Sequence, residues 1–68
     1  MSGALVNPNI KPKYKRGEWV KFRTGKRTLW GSIIGWYSNS ADAVIYEIAR
    51  NKQTFRLIYE NDITEKRA

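Results

Sequence analysis

Residues 29–38, LWGSIIGWYS, set the architecture of this chain: they form a run of strand-forming residues that two glycines interrupt. Side chains of a β-strand alternate between two faces, and a strand with one face in water normally carries polar residues there. Here both faces are apolar, with Leu29, Ile33 and Tyr37 on one and Trp30, Ile34 and Trp36 on the other. The first set is predicted to enter the core. The second set needs another cover, which is the chain itself, a partner chain or a ligand.

The two glycines of this stretch, Gly31 and Gly35, are four residues apart and are therefore expected on the same face of the strand. A glycine inside a strand allows a tight bend or the close approach of another backbone. We interpret the pair as bends in a small curved sheet, with the approach of a ligand as the alternative.

The segment before this strand, residues 18–24, also alternates as a β-strand. Val20 and Phe22 fall on one face and are predicted to be buried. The opposite face carries three residues suited to contact with a ligand: Trp19, Lys21 and Arg23. A polar loop over residues 24–28, with a turn at Gly25, joins the two strands.

Three more strands are predicted downstream, at residues 43–50, 54–59 and 63–66. In the middle one, alternation places Phe55, Leu57 and Tyr59 on one face. Turn residues separate the strands, including a tight turn of 3₁₀ type at residues 60–63. Five short strands with tight turns predict an all-β fold, a small five-stranded SH3-like barrel over residues 17–68.

Residues 1–16 contain both prolines, Pro8 and Pro12, and show no sustained period. Prolines exclude regular strand pairing, and the lysines of this segment repel one another. We therefore predict a flexible, disordered basic arm that precedes the barrel, with Ile10 or Tyr14 docking on the domain.

The composition excludes several kinds of chemistry. The chain has no cysteine and no histidine, so it lacks thiolate ligands, disulfides and the usual general base. Its six acidic residues show no metal-loop spacing. We predict no catalytic residues and no metal site. No apolar run is long enough for a membrane span and the N-terminus lacks a signal-peptide block, so a cytoplasmic protein without a membrane partner is expected.

The charge is strongly and unevenly positive. Thirteen Lys and Arg against six acidic residues give a net charge of +7. Residues 11–27 hold eight cations against Glu18 alone, which is also +7, and the residues after 27 sum to zero. A basic half of this kind attracts polyanions, which include nucleic acid and acidic protein surfaces.

The first functional hypothesis is a non-catalytic module that binds nucleic acid, with RNA or single strands favoured. Cations neutralise phosphates, and an exposed tryptophan offers a platform on which bases stack. No base-reading motif is recognisable, so weakly specific binding is expected. The candidate binding residues are Trp19, Lys21, Arg23, Lys26, Arg27, Trp30, Trp36 and Arg56.

The second hypothesis is a protein-interaction module, such as a small phage or bacterial regulator that docks on an acidic surface of a host enzyme. Aromatic residues dominate interface hot spots, so Trp30, Trp36 and Tyr59 would be its anchors. The charge fits an acidic protein partner as well as it fits nucleic acid. Self-association into a homo-oligomer also stays open.

The stretches GEWVKFRTG, WGSIIGWY, YEIA and LIY follow the order and spacing of the plasmid-encoded type II (trimethoprim-resistant) dihydrofolate reductases, and residues 17–65 resemble that family. The resemblance implies an SH3-like barrel with a disordered N-terminal arm, assembled as a homotetramer around a central pore. It also implies NADPH-dependent reduction of dihydrofolate inside that pore. NADPH is expected only under this alternative, and otherwise no cofactor is predicted.

The pore signature of that family is altered in this chain. The family carries a Val-Gln-Ile-Tyr stretch, and the matching residues here are Arg56, Leu57, Ile58 and Tyr59. A leucine in place of the glutamine can neither donate nor accept a hydrogen bond, at a cost of about 1–3 kcal/mol for each partner lost. Arginines at the valine position would repel one another in a shared pore. A family lysine that attracts the anionic ligands aligns with Phe22, so binding rather than reduction is the expected function.

Overall fold

The structure is a computed structural model that describes residues 10–67. Within that range the chain forms five strands and one short 3₁₀ turn, which confirms the predicted all-β fold. The elements are β1 (Trp19–Thr24), β2 (Arg27–Ser38), β3 (Val44–Arg50), β4 (Gln53–Tyr59), the 3₁₀ turn (Glu60–Asp62) and β5 (Ile63–Lys66). The turn and the last strand lie where the sequence predicts them.

All five strands belong to one antiparallel sheet in the order β4-β3-β2-β1-β5. The first four strands form a meander, and β5 returns to pair with the outer side of β1. The rings of Phe22 in β1 and Phe55 in β4 are 5.2 Å apart, although two strands separate β1 from β4 in the sheet. The sheet is therefore strongly curled, which is compatible with the predicted SH3-like barrel.

The concave side of the sheet holds the core. Val20 and Phe22 of β1 are fully buried, as predicted, and each large apolar side chain removed from water contributes about 1.5–3 kcal/mol. Leu29 and Phe55 are partly buried and pack against this cluster. The other buried members of the cluster are Tyr14, Ile33, Val44, Tyr46, Ile48, Ile58 and Ile63.

A β-bulge divides β2 into two halves that face opposite ways. Ile33 pairs with Ile48 and Gly35 pairs with Glu47, so Ile34 is an extra residue in the ladder between β2 and β3. One extra residue shifts the alternation by one position. A residue after the bulge therefore lies on the opposite face from the one that simple alternation, counted from residues before the bulge, predicts for it.

Because of the bulge, the two faces predicted for residues 29–38 differ from the observed ones after Ile34. Trp36 lies opposite Tyr46 and packs against the core, whereas Tyr37 is 39% exposed. The expected core set of Leu29, Ile33 and Tyr37 is thus wrong at Tyr37. The expected second face is wrong at Trp36, which does not lie beside Trp30.

A second bulge lies in β4. Tyr46 pairs with Ile58 and Ile48 pairs with Phe55, so Arg56 and Leu57 together oppose the one residue between Tyr46 and Ile48. Leu57 is 63% exposed while Ile58 is buried. The predicted face of Phe55, Leu57 and Tyr59 is therefore wrong, because Phe55 points inward and the other two point outward.

The two glycines of β2 also end on opposite faces, contrary to the prediction. A Cβ atom on Gly31 would lie 2.6 Å from Ile48 Cγ2 and 2.8 Å from the Ala49 carbonyl oxygen. A Cβ on Gly35 would meet only Glu47 Oε1, at 3.7 Å. Gly31 thus permits Ile48 and the Ala49 carbonyl group of the neighbouring strand β3 to approach β2 closely.

The segment before β1 docks on the core. Ile10 packs against the buried cluster, and the buried Tyr14 ring meets the Tyr46 ring edge to face at 5.7 Å. The Tyr14 backbone N–H donates a 3.1 Å hydrogen bond to the Tyr46 hydroxyl. The rest of the predicted arm, residues 1–9, lies outside the described residues.

Candidate nucleic-acid interface

The outward side of β1 and β2 carries an aromatic and basic surface. Val20 and Phe22 point inward, so the residues between and beside them point outward. Lys21 lies directly opposite Trp30 in the antiparallel ladder, and directly opposed residues share a face of the sheet. We call this surface, extended by one residue after β5, the Trp30 face. Its members are Trp19, Lys21, Arg23, Trp30 and Arg67.

Two cations of the Trp30 face are paired with carboxylates near β5. Lys21 Nζ is 3.5 Å from Glu65 Oε2, and Arg23 Nη2 is 3.6 Å from Asp62 Oδ1. All four side chains are substantially exposed. Ion pairs of this kind contribute only about 0–1 kcal/mol, so an incoming phosphate can exchange with either carboxylate.

Arg67 completes the surface above the tryptophan. Its guanidinium lies over the Trp30 ring, 5.8 Å from the ring centroid. Its backbone N–H donates a 2.9 Å hydrogen bond to the Trp19 carbonyl oxygen, which fixes the chain beside β1. Arg67 was not among the predicted binding residues, because only the pairing of β5 with β1 brings it to Trp30.

We call residues 25–27, which are the turn after β1 and the first residue of β2, the basic turn. It carries two exposed cations, Lys26 and Arg27. Gly25 adopts the positive φ of +60° that lets the chain reverse there. Neither Lys26 nor Arg27 enters any of the three ion pairs found among residues 10–67. Counted with the three cations of the Trp30 face, Lys26 makes four cations against Glu65 and Asp62, a local net charge of +2.

Two further cations approach the same end of the sheet from the other hairpin. β1 and β3 both run antiparallel to β2, so the turn after β3 lies at the same end as the turn after β1. That turn brings Arg50 and Lys52, and the Arg50 Nε is buried without a hydrogen-bond partner. Neither residue was among the predicted binding residues, because the charges after residue 27 cancel when they are counted along the chain.

Trp36 and Arg56 lie apart from the other predicted binding residues. Trp36 packs against the core from the inward side of β2. Arg56 belongs to the bulge of β4, where its carbonyl oxygen accepts a 3.0 Å hydrogen bond from the Tyr37 hydroxyl. The structure therefore brings together Trp19, Lys21, Arg23 and Trp30, with Lys26 on the adjoining turn. Arg27 lies opposite Thr24 in the ladder and alternates to the other side of the strand end.

The stretch that matches the reductase pore, residues 56–59, is divided between the core and the surface. Ile58 is buried in the core of its own chain, whereas Leu57 and Tyr59 are exposed. Tyr37 and Tyr59 lie on either side of Ile45 of β3 on the outward side of the sheet, and Ile34 is also exposed. Leu57 can neither donate nor accept a hydrogen bond, so the pore glutamine of that family has no counterpart at this position.

Among the described residues, the side chains of Tyr46 and Glu18 have shifted pKa values. Both side chains, together with Glu60, form hydrogen bonds that hold the segment before β1. Burial and the hydrogen bond to Glu60 raise the pKa of the Tyr46 phenol well above its ordinary value. Tyr46 donates to Glu60 Oε2 at 2.6 Å, and the Lys13 backbone N–H donates to the same oxygen at 2.8 Å. A hydrogen bond from the Lys15 N–H and the Lys66 ammonium lower the pKa of Glu18.

Residues 10–67 bring no three acidic side chains together in a way that could hold a metal ion. Over the same range, no helix has the length and apolar character that crossing a membrane requires. Comparison with protein-family models, curated proteins and solved structures gave no match to this chain. The resemblance to the type II dihydrofolate reductases therefore depends on the quoted sequence stretches alone.

Proposed function

We propose that this chain is a nucleic-acid-binding module that takes single strands or RNA on the Trp30 face. The observation that carries the proposal is the cross-strand pair of Lys21 and Trp30. It sets a stacking surface beside a phosphate-neutralising cation. Stacking of a base on an aromatic side chain contributes about 1–3 kcal/mol and tolerates any base.

The cations around Trp30 support a backbone-directed mode of binding. Lys26 and Arg27 are exposed on the adjoining turn, and Lys21 and Arg23 are held only by weak surface ion pairs. Each phosphate that such a cation neutralises releases counterions. Affinity should therefore fall as the salt concentration rises. For a single strand, the logarithm of the binding constant should decrease by about 0.7 per phosphate contact for each tenfold rise in salt concentration.

Single strands suit this surface better than duplex DNA. A base must expose its ring face to stack on Trp30, and the bases of a duplex are already stacked on one another. The 3₁₀ turn Glu60–Asp62 is the helical element of the described residues, and three residues are too short to enter a major groove as recognition helices do. The anchors expected for an acidic protein partner are not grouped, because Trp36 packs against the core and Tyr59 lies on β4. The Trp30 face therefore favours a nucleic acid over an acidic protein surface.

The proposal is tested by comparing three polyanions in one assay. Fluorescence anisotropy with a labelled single-stranded RNA 12-mer should show binding at low salt. A duplex of the same length and polyglutamate should both compete more weakly than the unlabelled single strand. Equal competition by polyglutamate would instead assign the surface to an acidic protein partner.

The reductase activity implied by the resemblance has a separate test. NADPH oxidation in the presence of dihydrofolate should proceed at the rate of buffer, because Leu57 replaces the family glutamine and Ile58 is buried. A protein-dependent rate would contradict the assignment of this chain as a binding module.

A further inference from the structure

We propose, on the basis of the function proposed above, that the chain carries its own occupant of the Trp30 face. Side chains from the 3₁₀ turn and from the end of β5 take the places that a bound strand would fill. Asp62 and Glu65 stand where phosphates would lie, and the Arg67 guanidinium stands where a base would stack. A bound single strand displaces all three.

The carboxylates match phosphates one for one. Glu65 Oε2 contacts the Lys21 ammonium at 3.5 Å, and Asp62 Oδ1 contacts the Arg23 guanidinium at 3.6 Å. Both cations belong to the Trp30 face, on either side of the inward-pointing Phe22. A phosphate oxygen is the same kind of acceptor for a lysine or arginine as a carboxylate oxygen. The two anions therefore compete directly with a nucleic-acid backbone.

Arg67 matches a base in shape and position. A guanidinium is planar, and it stacks on aromatic faces as a nucleobase does. It covers Trp30 at 5.8 Å from the ring centroid, on the side of the sheet that faces away from the core. A base that stacks at this position takes the place of the Arg67 guanidinium.

The exchange needs side-chain rotation only, because the strand itself is anchored. Ile63, the first residue of β5, is 6% exposed and belongs to the core cluster. Farther along, Lys66 pairs with Glu18 at 3.2 Å, and the Arg67 backbone is bonded to the Trp19 carbonyl oxygen. The backbone of β5 can thus stay in place while Asp62, Glu65 and Arg67 swing away.

This arrangement predicts that the two carboxylates limit the affinity for single strands. We compare the wild type with Asp62→Asn/Glu65→Gln, which removes both competing charges and keeps the side-chain sizes. The matched control is Asp42→Asn/Glu47→Gln, which makes the same change in net charge. Asp42 lies in the turn after β2 and Glu47 beside Gly35, both away from the Trp30 face.

The experiment measures Kd for the labelled single-stranded 12-mer at one salt concentration, with thermal unfolding of each variant to show that it is folded. Asp62→Asn/Glu65→Gln should bind at least fivefold more tightly than the control variant. Equal affinities of the two variants would overturn the inference while leaving the proposed function in place, because the gain would then reflect net charge alone. Absence of binding by the wild type and by both variants would overturn the proposed function, and the inference with it.

Discussion

Ile33 and Gly35 are two residues apart in β2 yet point to opposite faces of the sheet, because Ile34 between them is an extra residue in the ladder with β3. The bulge decides which tryptophan faces outward. Trp30, before it, lies on the outward face opposite Lys21, and Trp36, after it, packs against the core. The proposed functional surface is thus built around Trp30, the outward tryptophan of β2, which has cations beside it.

Replacing this tryptophan should abolish most of the stacking contribution. Trp30→Ala is expected to weaken single-strand affinity by roughly fivefold to more than a hundredfold, corresponding to about 1–3 kcal/mol for one stacked base. Trp30→Phe should retain most of the affinity, because it keeps an aromatic face. Anisotropy titrations of the two variants check this, and equal losses in both would show that no base stacks at this position.

The basic turn should contribute to binding without contributing to folding. Lys26→Glu/Arg27→Glu changes two exposed turn residues, so its free energy of unfolding should stay within about 0.5 kcal/mol of the wild type. Its affinity for the single strand should fall tenfold or more. The matched control, Lys11→Glu/Arg16→Glu, places the same charge change on two exposed residues of the segment before β1 and should lose several-fold less. A larger loss in the control would move the binding surface to that segment.

The two glycines of β2 should respond differently to the same substitution. Gly31→Ala would bring a methyl group to 2.8 Å from a backbone oxygen that cannot rotate away, so a loss of about 1–3 kcal/mol is expected. Gly35→Ala meets only a mobile carboxylate oxygen at 3.7 Å and should leave stability unchanged or slightly raised. Urea unfolding of both variants tests the pair, and similar losses would contradict the close approach at Gly31.

Tyr46 should make a pH-dependent contribution to stability. Tyr46→Phe leaves the buried Tyr14 N–H without its acceptor, and the expected cost at neutral pH is about 1–3 kcal/mol. The folded chain raises the pKa of Tyr46, so above pH of about 10 the unfolded chain releases a proton that the folded chain retains. This stabilising effect is complete below that pH and is lost as the pH rises.

The stability difference between the wild type and Tyr46→Phe should therefore narrow from pH 10 upward. Chemical unfolding of both proteins at pH 8, 10 and 11 measures it, and the other titrating groups cancel in the difference. A stability difference that stays constant from pH 8 to 11 would show that burial and the hydrogen bond to Glu60 do not raise the pKa of Tyr46 in the folded chain.

Local alternation was sufficient to predict the strands and part of the core. Val20 and Phe22 alternate with polar neighbours, and both are buried as expected. Periodicity failed where the ladder gains a residue, at Ile34 and in β4 at Arg56 and Leu57. A bulge depends on the hydrogen bonding between two strands, so the alternation of apolar and polar residues within one strand does not predict it.

The candidate surface was predictable only where its residues belong to one strand. Trp19, Lys21 and Arg23 share a face through alternation within one strand, and the sequence was enough to group them. Arg67 and Trp30 are 37 positions apart in the chain, and their contact depends on how β5 pairs with β1. Contacts set by strand pairing at that distance have no local sequence signal.

The most direct test of the account is the affinity of the wild-type protein for a single-stranded RNA 12-mer at 50 and 200 mM salt. The cations of the Trp30 face and of the adjoining turn predict measurable binding at the lower salt concentration and a clear loss at the higher one. Absence of binding at low salt, or an affinity that does not change with salt, would contradict the claim that this face binds a nucleic-acid strand.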